Sequence, residues 1–382
     1  MLPGSLLVMD MANLDIGFQS YGPRPAPGFS GRLDICKVPS LVGSIVGQNV
    51  AETIACTASG EGQWPFLNFL NHQGMRTVTR PIRHVTGKDG KVNHICNMDV
   101  EVATEALLRG RCYDSIVIGS GDADFAPVVR NLRQQQKDVW VLGTGRSVSA
   151  DLLSAAGPQR FIDLAKHSAA VGRQIVDGPR RSIPITTLAT PIGRELCGQP
   201  SSGQNVLLID CPNLDNNCAP EGWSADYFKL SAVAAKHYGT PINQVVLFDR
   251  ESSSRSGFLS RAKLAYGWKP VTKKPKLEEC SLAVEITTAA IDAAAQGHGV
   301  IIGSSSGHLV PLVRRLHDNG VRVGLMAPET YLSGLLRKQF NEDEFFSMSN
   351  HKLDLARDRS SPFAKRPKHA DPDGRALGGL QK

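Results

Sequence analysis

The chain repeats itself. Ile118-Gly119-Ser120-Gly121-Asp122-Ala123-Asp124-Phe125-Ala126-Pro127-Val128-Val129-Arg130-Asn131-Leu132 aligns without a gap with Ile302-Gly303-Ser304-Ser305-Ser306-Gly307-His308-Leu309-Val310-Pro311-Leu312-Val313-Arg314-Arg315-Leu316, at an offset of 184 residues. The same offset aligns Val100-Glu101-Val102 with Val284-Glu285-Ile286, Ser149 with Ser333 and Phe161 with Phe345. At an offset of 200, Val8-Met9-Asp10-Met11-Ala12-Asn13-Leu14-Asp15 matches Leu208-Ile209-Asp210-Cys211-Pro212-Asn213-Leu214-Asp215. A duplication restricts 382 residues to two copies of one fold rather than a single large core. The stretch 169–203 is rich in Pro, Gly, Ser and Arg and reads as a linker. The expected division is a first domain over 1–168, the linker, a second domain over 204–350, and a polar, basic, disordered tail over 351–382.

Within the first copy, short apolar runs alternate with helical spacing. Strands are expected over 6–10, 52–57, 76–80, 115–119 and 139–143, and helices over 33–46, 64–72, 100–108, 125–136 and 148–155. That alternation predicts an α/β fold with a mostly parallel sheet and helices on both faces. Uninterrupted runs such as Ile116-Val117-Ile118 suit strands buried on both sides. Ligands of such sheets sit beyond the carboxyl ends of the strands. Asp10 ends the first strand, Asp122 and Asp124 follow the strand over 115–119, and Asp99 opens a helix. Four carboxylates distant in sequence are therefore expected at one edge. Close like charges repel unless a cation holds them, and oxygen donors suit a hard divalent ion such as Mg²⁺. Such an ion can activate water and stabilise a phosphodiester transition state. Each acid also has a purely structural reading. Asp99 and Asp124 suit helix N-termini, Asp122 a turn and Asp10 a strand end.

In the first copy, an apolar strand ends in Asp10-Met11-Ala12-Asn13. Met98-Asp99-Val100 follows, with Glu105 six residues beyond Asp99. Next come Ser120-Gly121-Asp122-Ala123-Asp124-Phe125-Ala126-Pro127-Val128, the run 139–143, Ser149 and Leu152, and a closing Phe161-Ile162-Asp163-Leu164. Over about residues 6–166 this pattern resembles the NYN family, a branch of the PIN-like nucleases that includes LabA-like proteins. The resemblance implies a Rossmann-like PIN fold and Mg²⁺- or Mn²⁺-dependent RNA cleavage. It also implies an acidic metal site at Asp10, Asp99, Asp122 and Asp124. Asn13 would orient a ligand or water, and Glu105 would be a supporting acid. The second copy resembles the same fold with a damaged site. Asp210 and Asn213 remain, but Ala283, Ser306, His308 and Ala289 stand where Asp99, Asp122, Asp124 and Glu105 would be. Loss of those acids removes the charge needed to hold Mg²⁺, so the second copy is expected to bind or brace rather than cleave.

The net charge of +7 favours a polyanionic partner without deciding one. Arg261, Lys263, Lys269, Lys273, Lys274 and Lys276 run without an acid among them, with Tyr266 and Trp268 interleaved. Cations can neutralise phosphates and aromatic rings can stack bases; a solvated basic face with Trp268 in the core is the other reading. The first copy carries Arg76, Arg80, Arg83 and Lys88 in the corresponding region. The expected partner is RNA, with DNA open, and self-association or an intramolecular pseudo-dimer of the two copies is open too. No apolar run is long enough to cross a bilayer, and the N-terminal segment lacks the basic start of a signal peptide. Eight cysteines without a CxxC pair suit idle thiols in a reducing cytoplasm. There is no GxxxxGK[ST] phosphate loop and no Ser/His/Asp elbow. A metal-dependent endoribonuclease leads. A noncatalytic nucleic-acid-binding protein with a vestigial acidic pocket and a small-molecule phosphatase are the competitors.

Overall fold

The computed structural model describes residues 2–21, 29–60, 62–86, 92–174, 196, 203–252, 255–273 and 282–356. The first domain contains β1 (Leu2–Asp10), β2 (Phe29–Leu33), β3 (Val50–Ser59), β4 (Arg76–Pro81), β5 (Arg83–Thr86), β6 (Val92–Ile95), β7 (Tyr113–Gly119), β8 (Asp138–Gly143), β9 (Phe161–Asp163) and β10 (Gly172–Gln174). Its main sheet has the order β4-β3-β1-β7-β8-β9, parallel throughout. The chain winds outward from β1 through β3 to β4. It then returns to the other side of β1 for β7, β8 and β9. The direction of winding changes beside β1, which leaves a crevice at the carboxyl ends of β1 and β7. Two small antiparallel pairs, β5–β6 and β2–β10, lie outside this sheet. The first residues of the stretch read as a linker thus continue the first domain as the helix Ser168–Val171 and β10.

The second domain repeats the plan with β11 (Asn205–Asp210), β12 (Ile242–Arg250), β13 (Lys269–Lys273), β14 (Gly299–Gly303), β15 (Val323–Ala327) and β16 (Phe345–Ser347). The order is β13-β12-β11-β14-β15-β16, again parallel throughout. The molecule is therefore two α/β domains, each a six-stranded parallel sheet surrounded by helices. The domain continues past residue 350 with the short helix Lys352–Leu355 and a bridge from Ala356 to Ala225.

Alternate residues of a strand point to opposite faces, and here each face has its own core. Leu7 and Met9 of β1 pack on the outer side with Leu14, Phe18, Val38 and Leu70. Leu6 and Val8 point the other way, into a core that also contains Leu208, Phe248, Ile286 and Ile302 of the second domain. Leu207, Ile209 and Leu247 face the second domain's own outer core. The two sheets thus share a central apolar layer. Full burial of each Leu or Ile there contributes about 1.5–3 kcal/mol.

The helices Asp99–Gly110 and Ala283–Ala295 pack against each other in that layer. Asp99–Gly110 also meets Val310–Asp318, and Ala283–Ala295 meets Ala126–Gln134, the exchange that a two-fold axis requires. The two copies form an intramolecular pseudo-dimer. Every residue from Val100 to Gly110 is buried, so this helix has no solvent face.

Candidate metal centre and its degenerate twin

Local hydrogen bonds shape the chain beyond the carboxyl ends of β1 and β7. Asp10 ends β1, and its Oδ1 accepts from the Asn13 N–H at 3.1 Å. The Asn13 Oδ1 accepts from the Gly121 N–H at 2.8 Å, tying the end of β1 to the loop after β7. The Asp122 N–H donates to Ser120 Oγ at 3.2 Å, and Asp122 Oδ1 accepts from the Asp124 N–H at 2.9 Å. Asp122 therefore caps the turn Ala123–Phe125, as its structural reading required. The loop passes so close to its neighbour that a Cβ on Gly121 would stand 2.6 Å from the Ser147 carbonyl oxygen. Asp99 is the first residue of its helix, and Asn97 Nδ2 donates to its Oδ2 at 2.7 Å.

Electrostatics tie these acids together. Burial raises the pKa of Asp10 to about 6, against the N–H of Asn13, and the charge of Asp122 adds to the rise. Burial raises Asp99 to about 7, against the Asn97 hydrogen bond, with Asp122, Asp10 and Asp124 each adding repulsion. Four carboxylates feel one another across one crevice. Their oxygens are the donor type a hard divalent cation takes. Among the described residues, however, no three His, Cys, Asp or Glu side chains are grouped closely enough to hold an ion as they stand.

A cation from the other domain reaches this crevice. Lys273 Nζ, at the end of β13, lies 3.0 Å from Asp124 Oδ2 and 3.1 Å from Glu285 Oε1. Burial opposes the charge on Lys273, but Glu285 and Asp124 outweigh it and raise its pKa.

A family model for the NYN domain matches residues 6–165 and 205–349, one match on each domain. The chain belongs to the NYN domain family. The low amplitude and bright protein LabA of Synechococcus elongatus is similar to it, 34% identical over 68 residues. That alignment spans 18% of this chain and 36% of LabA, so the chain matches little more than a third of its curated relative. Among solved structures, a Vibrio parahaemolyticus protein of unknown function, VPA0982, is 19% identical. It covers 42% of this chain and 93% of its own, with a TM-score of 0.34. Anabaena HepE, solved with UDP and glucose, is 7% identical, with 91% and 86% coverage and a TM-score of 0.21.

The second NYN domain keeps the scaffold and loses the charge. Asp210 Oδ1 accepts from the Asn213 N–H at 3.3 Å, and Asn213 Oδ1 from the Ser305 N–H at 2.7 Å. Ser304 Oγ accepts from the Ser306 N–H at 3.3 Å, and Ser306 Oγ from the His308 N–H at 3.4 Å. These repeat the bonds of Asp10, Asn13, Ser120 and Asp122 one for one. A serine stands where Gly121 does, and only Asp210 remains of the four acids.

The register of the sheets shows a reciprocal exchange. Ala58 pairs with Arg80 and Arg250 with Lys273, so Arg80 and Lys273 occupy the same position in the two NYN domains. Lys273 holds Glu285 of its own domain and Asp124 of the other. Arg80 holds Glu101 of its own domain at 2.6 Å and reaches His308, the counterpart of Asp124, at 3.3 Å. The sequence offered no sign of this crossing, because the partners lie 228 residues apart.

Several cations read as contacts for a polyanion are engaged by the fold instead. Arg76 pairs with Glu52 and Glu105, Arg80 with Glu101, and Lys273 with Asp124 and Glu285. Burial at the interface demands counter-ions for these groups, and the carboxylates supply them. Glu105 is likewise an interface acid, between Arg76 and Arg315, rather than part of the crevice. Arg261, Lys263 and Lys269 are exposed. Tyr266 is half exposed and stacks on Phe228, whereas Trp268 is buried, as the solvated-face reading held. The side chains of Arg83 and Lys88, and residues Lys274 and Lys276, lie outside the described residues.

Proposed function

We propose that the first NYN domain is a divalent-metal-dependent nuclease, in the first place an endoribonuclease, and that the second domain binds or braces the substrate. The observation that carries this reading is the crevice in which Asp10, Asp99, Asp122 and Asp124 feel one another's charge. Family membership supports it. Mg²⁺ or Mn²⁺ held by Asp10 and Asp122, with Asp99 and Asp124 completing the shell, would supply a polarised water and charge stabilisation at the phosphate. The chain's own residues have separate tasks. Asn13 fixes the Asp10 carboxylate relative to the loop after β7. Asn97 orients Asp99. Lys273 pairs with Asp124 and places a positive charge beside the crevice. Arg261, Lys263 and Lys269 offer exposed charge for a polynucleotide backbone.

A panel of single-stranded and structured RNA and DNA, with Mg²⁺, Mn²⁺ or chelator, tests the reading. Wild type should cut RNA only with metal, and folded Asp122→Asn and Asp99→Asn proteins should lose at least a hundredfold in rate, about 3 kcal/mol of transition-state stabilisation. Equal cutting by wild type and both variants would remove the assignment.

The pairing of Lys273 with Asp124, which neutralises one acid, favours a second reading: a noncatalytic nucleic-acid-binding protein that keeps an inherited acidic pocket. It predicts no metal-stimulated cleavage of any substrate in the panel. Among the described residues, Cys56, Cys112, Cys211 and Cys218 form no disulfide, which is in keeping with the reducing cytoplasm we propose as its setting. Among the described residues, no helix is long and apolar enough to cross a membrane.

A further inference from the structure

The second domain's crevice is a cavity of about 250 Å³, lined in part by Asp210, Asn213, Arg250, Ile286, Ser306 and His308. It occupies the place of the acidic crevice in the first domain, with most of the negative charge gone. Three acids have become Ala283, Ser306 and His308. An arginine has been gained, since Arg250 stands at the register position of Ala58 and is exposed at the carboxyl end of β12. A second guanidinium, that of Arg80, comes across the interface to His308. The acid that remains, Asp210, is turned into the scaffold, its two oxygens accepting from the Asn213 N–H and from Ser304 Oγ at 3.1 Å.

The histidine is set for donation. A guanidinium can only donate, so the Arg80 Nη1 contact at 3.3 Å makes His308 Nδ1 the acceptor and leaves the ring proton on Nε2. Arg250, the Ser306 hydroxyl and this imidazole supply donors around a cavity whose wall includes Leu282, Ile286 and Leu309. Donors beside an apolar wall match a phosphate joined to a sugar and base. The cavity is small, just below the roughly 300–1,000 Å³ of pockets for drug-sized ligands, which suits a phosphate and the groups next to it rather than a large ligand.

We infer that the second crevice is a metal-independent binding site for the phosphate of a nucleotide, with Arg250 as its principal contact. The inference rests on the nucleic-acid reading above and deepens it. The two crevices adjoin. Arg250 lines one while Lys273, its register partner on the next strand, reaches Asp124 in the other. Neighbouring strands are about 4.8 Å apart. A strand anchored at Arg250 therefore lies within a few nucleotides of the acidic crevice.

Full-length protein in excess EDTA is titrated with 5′-AMP and with a fluorescein-labelled oligoribonucleotide. Arg250→Ala is expected to weaken binding at least tenfold, and His308→Asp, which restores an acid, to weaken it similarly. Loss of affinity for both probes marks a site that a free nucleotide fills, and loss for the oligonucleotide alone marks one read within a strand; either supports the inference. Arg250 is exposed, so its replacement leaves the core intact, and matching melting curves check this. Equal affinity of wild type and Arg250→Ala for both probes, or binding that needs Mg²⁺, overturns it. Arg250-dependent binding without any cleavage in the metal panel would sink the nuclease reading and leave this one standing. Cleavage with Arg250-independent binding would do the reverse.

Discussion

Asp10 binds its proton more tightly in the folded chain than in the unfolded one, where its pKa is 3.8. Folding in chelator therefore favours the neutral acid. That stability is complete below about pH 4 and is lost as pH rises through about 6, and Asp99 extends the loss to about 7. Asp10→Asn removes the cost. At pH 8 in chelator it should exceed wild type by up to about 3 kcal/mol. Mn²⁺ should reverse the order, because it takes the deprotonated carboxylates. Melting curves across pH 4–8 check both, and parallel pH profiles for the two proteins would show that Asp10 is not the group responsible. At the same scale, Lys273→Met leaves Asp124 and Glu285 facing each other without their cation. The expected loss is roughly 2–4 kcal/mol in urea denaturation, partly recovered by adding Glu285→Gln. The acids themselves were legible from sequence, because each follows a strand end or opens a helix. Lys273 was legible only as one charge in a basic run.

At the scale of the element, the helix Asp99–Gly110 shows where sequence reasoning stops. Its spacing and extent were readable to within two residues. Glu101, Glu105 and Arg109 recur every four residues, which ordinarily marks a solvent stripe. All three are buried. Glu101 meets Arg80, Glu105 meets Arg76 and Arg315, and Arg109 meets Glu52, which also accepts from the Tyr113 hydroxyl at 2.9 Å. Nothing local distinguishes a charge that faces water from one that faces a partner far along the chain. The central parallel strands β1, β7 and β8, by contrast, announced themselves, since burial on both faces demands unbroken apolar runs, whereas the three-residue edge strand β9 did not. The pair β2–β10 did not, its strands being short and far apart in the chain, and β5–β6 was passed over although Gly87-Lys88-Asp89-Gly90-Lys91 between them carries a turn signal. Ala106 is fully buried in the layer between the domains, so Ala106→Leu should cost about 1–3 kcal/mol by overpacking. An unchanged urea midpoint would mean that the helices separate without penalty.

At the scale of the whole molecule, the interface is built as a dimer interface is, the same patch meeting itself. A fragment holding residues 1–174 alone would expose the apolar face of Asp99–Gly110. Two copies can bury it again by the same exchange of helices, with Arg80 of one copy reaching Asp124 of the other. The fragment should therefore elute as a dimer by size exclusion. Adding Arg80→Glu should shift it to monomer or to aggregate. A well-behaved monomer from the unaltered fragment would mean that the shared layer is dispensable. That the halves would pair was open in the sequence, since repeats reveal common ancestry but not the face on which they meet.

The crossing of Arg80 and Lys273 gives the duplication its meaning. Subunits that trade residues come apart on dilution and must carry every mutation twice. Joined in one chain, they stay together at any concentration, and one hollow is free to change its appetite while the other keeps the old one.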